Sequence, residues 1–169
     1  MTLPHDPRDE SRSGTRLGGP GHRIGRQRAA VGTTAESGSE SYPVRTEEDL
    51  LTVRHAVRSA TQVLGFRLVD QTRVVTAASE LARNAYIHGG GGTLTVDALH
   101  QARGAGLRLT VRDDGPGIPD LEGALTDGFT TGAGLGHGLG GARRLMHDFE
   151  VHTAPGEGTV VIAVRWADR

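Results

Sequence analysis

The segment SELARNAYIHGGGG (Ser79–Gly92) sets Glu80, Asn84 and His88 four residues apart and then runs into four glycines. At about 100° per residue these three side chains share one strip of a helix. Val74, Val75, Ala78, Leu81, Ala82 and Ala85 form a buried stripe beside it. The spacing predicts a helix from near Asp70 whose polar strip lies half in the core and half along a cleft. A glutamate so placed can act as a general base, and an asparagine carbonyl one turn later is a hard oxygen ligand suited to Mg²⁺. A polar helix edge facing water gives the same pattern, so the strip alone decides nothing.

Working outward, Thr46 followed by Asp49 is a capping-box pattern, and Leu50, Val53, Val57, Ala60 and Leu64 continue it at helical spacing until Gly65. After the glycines, Thr93–Leu99 and Leu107–Val111 alternate as strands joined through QARGAG. Phe149–Thr153 and Val160–Trp166 form a second pair around APGEG, with Val160, Ile162, Val164 and Trp166 on one face. A glycine-rich loop between the pairs feeds a short helix from about Leu139 to Asp148. The expected fold is α+β: a two-layer sandwich with helices on one face of a mostly antiparallel, mixed sheet.

The chain has 169 residues and a formal net charge of -1, which gives no reason to expect nucleic acid or an anionic membrane as a partner. It has no cysteine, hence no disulfide, no thiolate metal site and no cysteine nucleophile. No stretch has the length and apolarity of a membrane span or a signal peptide, and the expected location is cytoplasmic. Residues 1–41 are rich in Gly, Ser, Arg, Pro and Thr and are expected to form a disordered tail, with the folded domain at residues 42–169. Five arginines lie between Arg12 and Arg28 with no acid among them, a solvated basic tail or a contact for phosphates.

Two further segments carry chemistry. In VRDDGPGI (Val111–Ile118) a strand ends in two acids and then Gly-Pro-Gly. A tight turn explains the glycines, yet Asp113 is also placed to accept from an exocyclic amine. In TTGAGLGHGLGGARRL (Thr130–Leu145) six glycines lead directly into a helix, where backbone amides can approach phosphate oxygens. A flexible loop is the alternative. All 19 basic residues are arginine, so a P-loop and a eukaryotic-type protein-kinase fold, both of which need a lysine, are excluded. Gly136, Gly138 and Gly141 satisfy G-x-G-x-x-G, but no strand leads into them and no βαβ pattern exists to make a dinucleotide site. None of the eight histidines has a recognisable zinc spacing.

In this order, ELARNAYIH, DDGPGI and GAGLGHGLGGARRL resemble the N-box, first glycine box, and second glycine box with lid of the Bergerat-type ATP-binding fold. Gyrase, the Hsp-ninety chaperone class, histidine kinases and MutL share that fold. GEGT (Gly156–Thr159) resembles its closing glycine motif. Within the superfamily, DQTRVVTAASELARN and DGFTTGAGLGHGLGGARRLMHDFEV are similar to the small bacterial anti-sigma-type serine/threonine kinases, most closely the switch-kinase branch.

The resemblance implies ATP and Mg²⁺ as cofactors. It makes Glu80 the catalytic base, Asn84 the Mg²⁺ ligand and Asp113 the acceptor for the adenine amine. Gly115 and Gly117 would shape the adenine pocket. Thr131, Gly132, Gly134, Leu135, Gly136, His137 and Gly138 would line the phosphates under the lid, with His88 and Thr159 completing the nucleotide site. The implied partner is a STAS-domain anti-sigma-factor antagonist or stressosome-type protein. A PP2C-type phosphatase, a sigma factor and a second copy of the chain are further candidates, with no nucleic acid or membrane. Three positions depart from the family: Asp114 stands where Asn is usual, His137 where Leu is common, and Gly140 where a Pro is common. The first adds charge near a triphosphate, and the other two would loosen the lid.

Three functions compete at this point: a kinase acting on a partner's Ser or Thr, an anti-sigma factor with ATP setting partner choice, and a detached histidine-kinase catalytic domain. The last is disfavoured because His55 is followed by Ala56 and no phosphoacceptor hairpin precedes the domain.

Overall fold

The computed structural model describes residues 35–102, 104–126 and 138–168, with side chains described from Gly38 onward. Its elements are β1 (Ala35–Val44), α1 (Glu47–Val63), α2 (Leu68–Ile87), β2 (Gly92–Gln101), β3 (Gly104–Asp113), α3 (Leu121–Ala124), α4 (Gly138–Leu145), β4 (Asp148–Thr153) and β5 (Thr159–Trp166).

The predicted capping box starts α1. The Asp49 N–H donates to Thr46 Oγ1 at 3.1 Å and the Thr46 N–H donates to Asp49 Oδ2 at 3.0 Å, so two otherwise orphaned amides are satisfied. Val53 and Val57 then fall on the buried face, and the chain reverses at Gly65 with φ +75°. Helix α2 starts two residues before Asp70 and buries Val74, Ala77, Ala78, Leu81, Ala82 and Ala85, close to the expected stripe. Its alanines let it lie close against α1 and α4.

The strands form one sheet in the order β1-β2-β3-β5-β4, and all four pairings are antiparallel, so the mixed sheet expected from the sequence is antiparallel throughout the described residues. β1 was not foreseen as a strand. Residues 35–41, assigned to the tail, pair with β2, and the expected boundary at Tyr42 falls inside β1.

Leu94 and Val96 of β2, Leu107, Leu109 and Val111 of β3, and Val161 and Ala163 of β5 share the core with the helices. Leu81, Leu94, Leu107 and Leu109 are fully buried, each contributing about 1.5–3 kcal/mol over exposure. Val160, Ile162 and Val164 do share a face, but it is the open face, and the core takes the alternate residues of the strand.

One of those alternates is charged. Arg165 is buried and its Nε donates to Oδ1 of buried Asp70 at 3.0 Å, tying the first turn of α2 to β5. Its Nη1 donates to the Leu145 carbonyl at 2.7 Å and so satisfies the end of α4. Burial alone would raise the Asp70 carboxyl, but hydrogen bonds from Arg165 and Arg73 outweigh it and hold the group below the usual carboxylate value. Next to this pair, His147 Nδ1 accepts from the Trp166 N–H at 3.0 Å, and burial together with the Arg165 charge lowers the imidazole.

Candidate active site

Three chain segments meet at one end of the sheet: the C-terminal end of α2, the Asp113–Ile118 turn after β3, and the β4–β5 turn. Glu80 and Asn84 are both half-buried on α2 and make no hydrogen bond or ion pair among the described residues. His88 is the C-cap, exposed, with its N–H donating to the Asn84 carbonyl at 2.9 Å. The run of glycines ends the helix for two separate reasons. Gly90 (φ +71°) and Gly91 (φ +105°) adopt left-handed backbone, and the Gly91 N–H returns to the Ala85 carbonyl at 3.0 Å. Gly89 makes room: a Cβ there would lie 2.4 Å from Cγ of Asp113.

Asp113 is thereby pressed against the helix end. Its Oδ1 accepts from the Gly115 N–H at 3.0 Å, and the described residues offer its other oxygen no donor. Gly115 fits against the same helix end, since a Cβ would come 2.6 Å from Gly89 Cα. Gly117 has φ +79°, and a Cβ on it would meet the Ala154 carbonyl oxygen at 2.3 Å. The β4–β5 turn is therefore packed directly on the Gly-Pro-Gly turn, and the Gly156 N–H donates to the Pro116 carbonyl at 2.9 Å. Thr159 is buried at the start of β5, in register with Asp113.

The structure thus brings together Asp113, Gly115, Gly117 and Thr159 at the α2 terminus, with His88 exposed at its C-cap and Asn84 and Glu80 further back along the same helix. Gly138 opens α4 with φ +33°. Thr131, Gly132, Gly134, Leu135, Gly136 and His137 lie outside the described residues. Of the departures, the Asp114 side chain is 90% exposed with Arg112 at 3.7 Å, a solvated pair of small energetic weight. Gly140 is buried in α4, where a Cβ would lie 2.6 Å from the Leu125 carbonyl oxygen, so a glycine there lets α4 pack against the end of α3.

Sequence reasoning missed Thr153, whose Oγ1 accepts from the Ile118 N–H at 2.9 Å and joins the Gly-Pro-Gly turn to the β4–β5 turn. It also missed the Asp70–Arg165 pair. An arginine in the apolar run VVIAVRW, two residues from Ala163 on the same face, was the available signal.

The description "Histidine kinase-, DNA gyrase B-, and HSP90-like ATPase" belongs to the family whose model matches residues 69–168, which contain every segment of this site. The chain belongs to that ATPase family. It is 42% identical over 123 residues to the serine/threonine-protein kinase RsbT of Bacillus subtilis, covering 73% of this chain and 92% of RsbT. It is also 35% identical to an anti-sigma F factor of Bacillus licheniformis over 99 residues, 54% of this chain and 66% of that protein. A crystal structure of the RsbU and RsbW domains of a Mycobacterium tuberculosis protein has the same fold, with a TM-score of 0.55 at 21% identity over 79% of this chain and 33% of that longer one. The two-layer fold and the kinase and anti-sigma classes expected from the sequence are those its relatives carry. Among the described residues no helix is long and apolar enough to cross a membrane, and no three His, Cys, Asp or Glu side chains gather as a metal cage.

Proposed function

We propose that this protein is a Mg²⁺-dependent ATP-binding serine/threonine kinase that phosphorylates a STAS-domain regulator in a sigma-factor partner switch. The observation that supports it most is the junction of α2 with the Asp113 turn. Two half-buried polar side chains without protein partners among the described residues, Glu80 and Asn84, lie on the helix whose end holds a carboxylate that has one oxygen to spare. A kinase needs those parts at one place: a base, a metal ligand and a reader of the nucleobase.

The residues fit the cofactor. A neutral oxygen ligand such as the Asn84 carbonyl suits Mg²⁺, which keeps waters and leans on phosphates. The glycine contacts that bring Asp113 against Gly89 and Gly115 leave the carboxylate held and oriented. When bound, ATP with its metal supplies the phosphoryl group and the positive charge that offsets the charge developing on it. On this reading Asn84 holds the metal, Asp113 and Thr159 face the base, Gly138 and the preceding glycines surround the phosphates, and Glu80 takes the proton of the incoming hydroxyl. The likeness to RsbT over nearly all of that kinase supports acceptance by a serine or threonine.

The test is incubation of the protein with γ-labelled ATP, Mg²⁺ and a panel of STAS-domain proteins, followed by phosphoamino-acid analysis. Label on serine or threonine of a STAS protein is expected. A second reading, an anti-sigma factor that sequesters its sigma factor, is favoured by the likeness to anti-sigma F factors. A protein that binds ATP and a sigma factor tightly but labels nothing would establish that reading instead.

A further inference from the structure

A row of polar side chains crosses the helix-facing side of the sheet beneath the site. Thr153 of β4 is in register with Thr159 of β5, and Thr159 with Asp113 of β3. The next row on that face is apolar: Val151, Val161 and Val111. Thr153 Oγ1 accepts from the Ile118 N–H at 2.9 Å and lies 3.1 Å from both the Gly158 carbonyl oxygen and Thr159 Oγ1.

Assigning the Thr153 proton to the Gly158 carbonyl orders the other contacts by proton counting. A hydroxyl has one proton and two lone pairs, and a carbonyl only accepts. With the Thr153 proton on Gly158, one lone pair takes the Ile118 N–H, and the other is left for a proton from Thr159. With its only proton so committed, Thr159 offers nothing but lone pairs to a group bound beside Asp113.

We propose that Thr153 is a positioning residue for base selection: it fixes Thr159 as an acceptor, so that Asp113 and Thr159 together favour a purine edge bearing an amine over one bearing a carbonyl oxygen. The inference rests on the nucleotide reading above and adds to it a residue that reads the base only through another. An amine gives both acceptors a hydrogen, whereas a carbonyl at the same place meets lone pairs alone.

The experiment is calorimetry of the full chain with Mg²⁺ and either ATP or ITP, which carries a carbonyl in place of the amine. The wild type is expected to prefer ATP by about tenfold or more, the scale of one well-placed hydrogen bond. Thr153→Val frees the Thr159 hydroxyl to turn outward and donate, so the preference should fall to within about threefold. Thr153→Ser should restore it. Equal weakening of both nucleotides by Thr153→Val, with the preference kept, assigns Thr153 a packing role only and overturns the proposal. If Asp113→Ala removes the preference and Thr153→Val does not, the adenine reading stands and this inference falls. A wild type that binds both nucleotides alike ends both. Should a melting curve show Thr153→Val unfolded, Thr159→Val removes the acceptor directly and must cut the preference in the same way; an unchanged preference there also overturns the proposal.

Discussion

Replacing Arg165 by methionine should be among the most damaging changes away from the nucleotide site. Asp70 is 3% exposed and Arg165 6%, so the substitution leaves a carboxylate inside the protein with only Arg73, 3.0 Å away and with its side chain 45% exposed, to answer it. An uncompensated buried charge costs about 3–5 kcal/mol. Because Arg73 remains, the lower end applies, and about 3 kcal/mol in a domain of this size corresponds to a fall of roughly 10 °C in melting temperature. The Leu145 carbonyl also loses its donor, which loosens the end of α4.

The sign with pH is a second signature. In the wild type the folded Asp70 carboxyl lies below its unfolded value, so its stabilisation is complete above about pH 4 and is lost as pH falls through the folded value. In Arg165→Met burial dominates and reverses the shift, so the deficit relative to wild type should shrink as pH falls from 7 towards 4. Urea melts across that range measure it, and Asp70→Leu combined with Arg165→Met should recover much of the loss, since an apolar pair replaces a buried ionic one without an orphan. A loss under about 1 kcal/mol at pH 7, or a deficit that grows on acidification, would refute the assignment of a buried, charged pair.

Other substitutions test the site. Asp113→Ala should weaken ATP binding about 5- to 150-fold by calorimetry, since it leaves a buried amine unpaired at about 1–3 kcal/mol and removes the anchor of the Gly115 turn. Gly89→Ala places a methyl 2.4 Å from Asp113 Cγ, so nucleotide affinity should drop at least as far as in Asp113→Ala while helix content by circular dichroism holds; unchanged affinity would mean Asp113 is not held by that contact. Asn84→Ala should weaken ATP binding in Mg²⁺ but not in EDTA, a difference read from paired titrations.

The parts of the fold that were legible had local causes. Thr46 and Asp49 satisfy each other's amides wherever that helix sits, and the α2 stripe needs only the helical period. β1 was hidden because, among its side chains described from Gly38 onward, most are exposed and only Tyr42 and Val44 turn inward, so no apolar alternation marks this edge strand. β5 is apolar on both faces, and alternation cannot then say which face meets the helices; the Asp70–Arg165 pair decides it from 95 residues away. At the site, the glycines were visible as a pattern, but their individual reasons were not. Gly89 and Gly115 are small because Asp113 and the α2 end touch across the fold, a contact that no local spacing encodes. Thr153 was silent for the same reason, since the Ile118 amide it accepts from lies on another turn.

The central claim is that Glu80 performs chemistry at a site that Asp113 and Asn84 assemble for ATP. It is tested most directly by Glu80→Gln, measured for ATP affinity by calorimetry and for transfer of label to a STAS-domain partner. A base that acts chiefly in the transition state predicts affinity within a few-fold of wild type and transfer lowered roughly 10²-fold or more. Transfer at the wild-type rate by Glu80→Gln would contradict the account.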